Sequence, residues 1–183
     1  MSKVVVLTEL DKMLLEVGYD SMSPYDRNRL LTQLANVREL DIRELTEDLV
    51  LEYHKELKNN MLSLKCEELI IKGFKSSNGY TYRTNRDDQI NMIGQKDMLD
   101  KNEDVSVVYW KTEEEGYIEH SREDWLEQVY AEGYKHKEEN LFKYNGLRTE
   151  VLKATKHDDI VAVQWIDGVE EEEEEIEGDR GEE

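Results

Sequence analysis

The side chains best able to do chemistry in this sequence are four histidines and one cysteine: His54, His120, His136, His157 and Cys66. His120 and Glu123 have the i, i+3 spacing at which a helix can present two metal ligands. Ser121, between them, is a residue type that caps helix starts. Since 44 of the 183 residues are Asp or Glu, such pairs also arise by chance. We therefore predict no metal site at His120.

The other candidates are better explained by structural roles. His54 lies in a helical pattern between acidic residues and is predicted at the surface. His157 precedes two aspartates at a predicted helix start, where carboxylates stabilise the macrodipole. Asp87 and Asp88 are adjacent, so they point in different directions and cannot flank one glycosidic bond. Paired cysteines, His-Glu-x-x-His, nucleophile elbows and glycine-rich phosphate loops do not occur. The sequence predicts no catalytic residue, no metal and no cofactor, and thus not an enzyme.

The charge of the chain restricts its partners. The formal net charge is −20, and charged residues make up 37% of the chain. From Asp167 onward, eleven acidic side chains stand against Arg180 alone, so that this stretch carries −10. Clustered Lys and Arg, which bind phosphates and anionic lipids, are missing. We predict no nucleic-acid partner, no membrane partner and a disordered acidic tail over 167–183.

The N-terminal sequence and the single cysteine bear on the compartment. Met1-Ser-Lys-Val-Val-Val-Leu7 lacks the longer apolar region and the cleavage site of a signal peptide. No apolar stretch approaches the roughly 18 residues needed to span a bilayer. A lone Cys66 excludes an internal disulfide, and we predict it to be an unreactive thiol in or beside the core. These features predict synthesis in a reducing cytoplasm.

Residues 1–45 carry two amphipathic helical patterns. The second follows Ser23-Pro24, an N-cap with proline at the first helical position. Such short helices must pack on something, either the rest of the chain or a second copy. We predict a docking or oligomerisation segment with these interface candidates: Leu7, Leu10, Leu14, Leu30, Leu34 and Val37.

The next stretch predicts a long helix and a hairpin. The helix starts after Thr46 and can end at Gly73. Asn78-Gly79 lies between short runs of aromatic and β-branched residues, which predicts a β-hairpin with a type I′ turn. Asn85, with Asp88 three residues on, can cap a following helix.

A second hairpin and two helices complete the pattern. Strands are predicted over 105–110 and 117–120. Ser121 with Asp124, and Thr155 with Asp158, form capping-box patterns that open a long helix and a last short one. The glycines expected to interrupt the long helix are Gly133 and Gly146.

Together these patterns predict an α+β protein that is mostly helical with two short β-hairpins. We divide it into a helical segment over 1–45, an α+β domain over 46–166 and the acidic tail over 167–183. Large aromatic residues cluster around the hairpins and suit both cores and interfaces: Tyr80, Tyr82, Tyr109, Trp110, Tyr117, Trp125 and Trp165.

The segment Tyr80-Thr-Tyr-Arg-Thr-Asn-Arg-Asp-Asp-Gln89 resembles a motif of a domain family of unknown function found in phage tail and tail-fibre-associated proteins. That family shows an aromatic residue and Thr-Asp-Arg-x-Ser-Gln opening a helix, then a strand ending in Trp and a close in Ile-x-Trp. The resemblance covers roughly residues 46–166. This chain has Asn85 where the family has Asp, and Asp88 where the family has Ser. Because Asn and Asp both cap helix starts, the helix that follows can still be capped. The matching residues are Tyr82, Thr84, Arg86, Gln89, Trp110 and Trp165.

The resemblance implies a structural or accessory protein of a bacteriophage tail, baseplate or tail fibre. It would be made in the host cytoplasm and located in the virion, bound to other tail proteins as a homo-oligomer. Two alternatives stay open: an assembly chaperone absent from the mature particle, and an acidic inhibitor or nucleic-acid mimic using the tail.

The residues themselves favour a structural role for the motif. The hairpin delivers Tyr82 to a sheet face, and Thr84 or Asn85 caps the next helix. Arg86 and Gln89 are predicted to tie the hairpin to that helix by hydrogen bonds, with a partner-facing role as the alternative.

Overall fold

The structure is a computed structural model that describes residues 7–166. Within that range the chain forms seven α-helices and two separate two-stranded antiparallel sheets. This confirms the predicted α+β class, mostly helical with two short hairpins. The acidic tail expected over 167–183 lies outside the described residues.

The first two helices begin at side-chain caps. Helix α1 (Glu9–Val17) starts at Thr8, whose hydroxyl accepts from the Asp11 amide while the Asp11 carboxylate accepts from the Thr8 amide. Helix α2 (Pro24–Arg38) starts at Ser23, as predicted, with Pro24 at the first helical position. Short 3₁₀ turns follow each helix, over Tyr19–Ser21 and Ile42–Glu44.

Helices α1 and α2 close a core against the first half of helix α3 (Glu47–Lys72). Four of the six interface candidates are buried in this core: Leu10, Leu14, Leu30 and Leu34. The prediction that these four side chains contact a second chain is therefore wrong, because they pack within their own chain. Their partners on α3 are Val50, Tyr53 and Leu57. Leu7 is half-buried against the same cluster, whereas Val37 is 62% exposed. The core thus crosses the boundary predicted at residue 45.

A polar network within this core joins the three helices. The Tyr53 hydroxyl donates to Asp11 Oδ1 at 2.7 Å, and Gln33 Nε2 donates to the same oxygen at 2.7 Å. Burial, followed by the bond to Asp11, raises the pKa of Tyr53 to about 12. Because buried carboxylates are tolerated only when hydrogen-bonded, this network fixes how α1 and α2 sit on α3.

The first hairpin pairs β1 (Phe74–Lys75) with β2 (Thr81–Tyr82). The predicted type I′ turn is wrong, because that turn needs positive φ at both central residues and in this turn only Gly79 has it, at 90°. The Gly79 amide donates to the Ser76 carbonyl, and the Ser76 amide donates to the Tyr80 carbonyl. The loop therefore has three residues, one more than a type I′ turn has, and its last residue, Gly79, has a positive φ.

Helix α4 (Arg86–Lys101) connects this hairpin to the second one, β3 (Val107–Thr112) and β4 (Gly116–Ser121). The second hairpin pairs Val107 with Ser121 and Thr112 with Gly116. Strand β3 begins and ends two residues later than predicted. The apolar run in the sequence starts at Val105, two residues before the strand. The Val105 amide donates to the Asn102 carbonyl, so Val105 belongs to a turn and not to the sheet.

A long helix follows in three parts: α5 (Arg122–Asp124), a π-helical segment (Trp125–Ala131) and α6 (Glu132–Lys153). The predicted interruptions at Gly133 and Gly146 are wrong, since α6 runs through both. A Cβ at Gly133 would lie 2.9 Å from Phe74 Cε1. That glycine admits the first hairpin against the helix rather than breaking it.

The last helix, α7 (His157–Ala162), starts without the predicted capping box. The N-cap residue is Lys156, and its side chain makes no capping hydrogen bond. The Thr155 amide donates to the carboxylate of Asp159, whereas the predicted acceptor was Asp158. A second core cluster surrounds the buried Trp125 and lies between the long helix, α4 and the hairpins. Helix α7 packs against α3 and α6 and forms a third cluster with them. In the part of the chain described, no helix is both long and apolar enough to span a membrane.

Candidate functional site

The motif at residues 80–89 anchors the start of α4. The Thr84 hydroxyl donates to the Ile70 carbonyl at the end of α3. Asn85 accepts from the amides of Asp87 and Asp88 and caps α4, as predicted. Gln89 Nε2 donates to the Thr84 carbonyl at 2.7 Å, so this predicted tie reaches the short segment that connects β2 to α4 and not the strands of the hairpin.

Arg86 behaves differently from the prediction. Its guanidinium donates to Glu67 of α3 at 3.0 Å, so the ion pair it forms ties α4 to α3 and not to the hairpin. Lys137 of α6 donates to Gln89 Oε1 at 2.7 Å. The start of α4 is therefore held by the segment after β2, by α3 and by α6, which fixes the surfaces along its two sides.

One side of α4 forms an apolar groove with α6. It has a volume of about 450 Å³. Ile93 is 63% exposed on α4 and Phe142 is 68% exposed on α6, and Tyr134 and Leu141 are also exposed. This apolar groove is lined by Thr84, Gln89, Met92, Ile93, Tyr130, Gly133, Tyr134, Lys137, Glu138, Leu141 and Phe142.

The two helices that form the apolar groove carry almost no net charge. Helix α4 has three cationic and four acidic side chains, and α6 has five and four, so their charges are −1 and +1. Residues 7–166 as a whole carry 33 acidic and 22 cationic side chains, a net −11. The groove is thus a neutral surface on a strongly acidic protein.

The other side of α4 forms a cleft with the second hairpin. This aromatic cleft has a volume of about 540 Å³. Tyr109 is 63% and Tyr117 is 73% exposed, and the Tyr109 hydroxyl donates to Glu119 at 2.8 Å. The lining residues are Arg83, Asp88, Ile90, Asn91, Gly94, Gln95, Met98, Tyr109, Trp110, Lys111 and Tyr117.

The remaining motif residues lie in different places. Tyr82 is fully buried, as predicted for a residue delivered to a sheet face. Trp110 is half-buried at the aromatic cleft, with its ring edge-on to Trp125 at 5.2 Å between centroids. Trp165 packs on the third core cluster under the Lys143 ammonium, which is 5.2 Å from its ring centroid. The motif therefore combines core positions with one cleft residue.

The sequence prediction for His54 is wrong, because this side chain is fully buried. Its Nδ1 lies 3.0 Å from Nδ1 of His157, with the two rings stacked at 5.3 Å. We call these two residues the histidine pair. A hydrogen bond between two ring nitrogens requires one of them to be unprotonated. His54 Nε2 has no hydrogen-bond partner within residues 7–166.

Burial governs the titration of the histidine pair. Burial, then the neighbouring His157 and Lys58, lowers the pKa of His54 to about 3. Burial also lowers the pKa of His157, opposed by Asp20, Asp158 and Glu47. The residues around His54 in the sequence show only the spacing of a helix. They contain no signal that would predict a contact between His54 and His157 of α7. Over the described range, no group of three or more His, Cys, Asp or Glu is placed to hold a metal ion.

The fold and these surfaces define a small α+β protein in which one capped helix, α4, separates an apolar groove from an aromatic cleft. The family model of a domain of unknown function, DUF4376, matches residues 53–167, and the chain belongs to that family. No curated protein and no solved structure matches the chain. The matched range includes α4, α6 and both hairpins.

Proposed function

We propose that this chain is a non-enzymatic structural or accessory component of a bacteriophage tail, and that it acts through a protein–protein interface. The observation that carries the interface is the neutral apolar groove between α4 and α6. The occupant we propose is a second copy of the chain. The assignment to a tail rests on the resemblance of the motif at residues 80–89, which also builds the start of α4.

The apolar side chains of the groove favour association. Four large apolar residues, Ile93, Tyr134, Leu141 and Phe142, are exposed on one face, and half-buried Tyr130 continues it. Burial of apolar surface contributes about 25 cal/mol per Å². Contiguous exposed apolar surface on a soluble chain is typical of an interaction site.

Charge favours a second copy as the occupant. Two chains that each carry a net −20 repel one another over most of their surface. At the α4–α6 face that repulsion is small, because its two helices sum to zero charge. A basic partner would gain more by binding elsewhere on the acidic surface.

The shape of the face suits a two-fold contact. In a two-fold interface the same patch meets itself, so it must contain both a projection and a recess. Ile93 projects from α4 beside the recess that Met92 and Gly133 line. The rim carries Lys137 and Glu138, which in a two-fold arrangement can pair with each other across the interface.

The test is light scattering coupled to size-exclusion chromatography on the full chain and on two variants. Ile93→Asp with Phe142→Asp places two charges in the groove, at exposed positions where folding tolerates them. We expect a defined oligomer for the natural sequence and a monomer for this double variant. The matched control is Val37→Asp, an equally exposed apolar position on α2 and one of the interface candidates of the sequence.

The outcomes separate the two candidate interfaces. A Val37→Asp variant that stays oligomeric supports the groove. Dissociation by Val37→Asp alone would place assembly in residues 1–45 and overturn the groove. A monomer for the natural sequence at all concentrations would overturn self-association through this face.

Location in the virion needs a separate measurement. Mass spectrometry of purified particles detects a tail component at a fixed ratio to the other tail proteins. An assembly chaperone, which would use the same groove for an apolar segment of an immature subunit, is present in the infected-cell lysate and absent from particles. That result would refute the structural role while leaving the groove as the binding surface.

A further inference from the structure

We propose that the aromatic cleft between α4 and the second hairpin binds a neutral saccharide. This site is distinct from the apolar groove, because it lies on the opposite side of α4 and is lined by other residues. Because the two surfaces share no lining residue, the two proposals can be tested separately.

The aromatic wall of the cleft provides flat apolar surfaces. Tyr109 and Tyr117 expose most of their side chains, although burial of such rings is favourable. The Tyr109 hydroxyl is held by Glu119, and the Trp110 ring is held edge-on by Trp125. Held rings lose little side-chain entropy when a ligand covers them. A hexose ring presents a face of C–H groups that matches such a surface.

The opposite wall provides hydrogen-bonding groups that the protein leaves open. Asn91 and Gln95 lie one turn apart on α4 and face the cleft, and within the described part of the chain their side-chain amides make no hydrogen bond. Each amide offers both donors and an acceptor. Hydroxyl groups also donate and accept, so amide side chains are suited to the edge of a sugar ring.

Gly94 lies between these two amides and leaves the floor of the cleft open. Glycine inside a helix costs about 0.5–1 kcal/mol relative to alanine. At Gly94 no contact explains it, since an added Cβ would meet no atom within 4 Å and φ is not positive. The space above Gly94 is unused by the chain and is available to a ligand between the aromatic and amide walls.

The charges around the cleft favour a neutral saccharide over an anionic one. Arg83 is engaged by Glu113 at 2.5 Å, which leaves Lys111 and Asp88 as one charge of each sign. The net charge of −20 opposes the approach of polyanions. Five of the eleven lining residues are charged or amide side chains, so the cleft can hydrogen-bond the hydroxyl groups of a ligand while its aromatic rings cover the apolar face.

The test is nuclear magnetic resonance on the full, nitrogen-labelled chain with three neutral probes: maltotriose, the N-acetylglucosamine trimer and lactose. We expect at least one probe to shift the Trp110 indole signal and the Asn91 and Gln95 amide signals saturably, with a Kd of roughly 1 mM. Gly94→Leu fills the floor of the cleft and is expected to weaken binding at least about tenfold.

The control is Gly146→Leu, a substitution on α6 outside the cleft, at a helix glycine where an added Cβ would also meet no atom within 4 Å. It should bind as the natural sequence does. Unchanged spectra with all three probes, shifts that map to other residues, or equal weakening by both glycine variants would each overturn the proposal.

Discussion

Acid should destabilise this protein well above the pH at which carboxylates titrate, through the histidine pair. Folding lowers the pKa of His54 from its ordinary 6.5 to about 3. A base of this kind contributes its full stability above pH 6.5 and loses it as the pH falls toward 3, because the unfolded chain then binds one more proton. The perturbation is a change from pH 7.5 to pH 5.0.

The magnitude follows from that difference in proton binding. Each pH unit below 6.5 lowers the free energy of unfolding by about 1.4 kcal/mol for one histidine. At pH 5.0 the loss from His54 is therefore about 2 kcal/mol. Burial lowers the pKa of His157 and of His120 as well, so their contributions have the same sign. A small domain with a total stability of about 5–15 kcal/mol would register this clearly.

The assay is urea denaturation at half-unit steps from pH 5.0 to 7.5, on the natural sequence and on His54→Gln. Glutamine keeps a hydrogen-bonding group toward His157 but does not titrate. We expect the slope of the unfolding free energy against pH, between 5.0 and 6.0, to be smaller in the variant by about 1.4 kcal/mol per pH unit.

Leu57→Ala is the control for lost stability. It truncates a buried residue of α3 that does not titrate, so it should lower stability at every pH and keep the natural slope. An unchanged slope in His54→Gln would refute the assignment, because His54 would then bind its proton equally in the folded and unfolded chains.

Three further substitutions test the packing. Tyr53→Phe removes the hydroxyl that donates to the buried Asp11 carboxylate, and thermal or urea unfolding should show a loss of about 1–3 kcal/mol; no loss would contradict the network. Gly133→Ala should lower stability by about 1–2 kcal/mol, because its Cβ meets the buried Phe74 ring. Gly146→Ala should raise stability by about 0.5–1 kcal/mol through helix propensity alone. Equal effects of the two alanines on the midpoint of urea unfolding would refute the Phe74 contact.

Local signals in the sequence were sufficient for much of the fold. Ser23-Pro24 and Asn85 are caps whose chemistry acts within four residues, and both were predicted correctly. The strand after Val105 follows from its β-branched residues, although a local turn delays its start. The capping box predicted at Thr155 is wrong because α7 begins one residue later, with Lys156 at its N-cap, and the Thr155 amide donates to Asp159.

The candidate surfaces depend on contacts that no local pattern contains. His54 is buried because α7 returns to it from 103 positions further along the chain. In the sequence Gly133 is indistinguishable from a glycine that interrupts a helix. Its packing role is visible only in the fold, where the Phe74 ring lies against it. The apolar groove likewise requires α6 to lie beside α4, from which it is distant in sequence; Lys137 of α6 donates to Gln89 of α4 there.

The π-helical segment at Trp125–Ala131 sets the rotational phase of everything after it. Each residue of an α-helix advances the side chains by about 100°. A π turn takes up an additional residue, so its two flanks are out of the phase that an unbroken α-helix would give them. Trp125 and Val129 point into the core while Leu141 and Phe142 face outward beside α4. If this segment became a regular α-helix with all of its residues kept, the composition of α6 would be intact but its apolar face would turn by about 100°, away from α4.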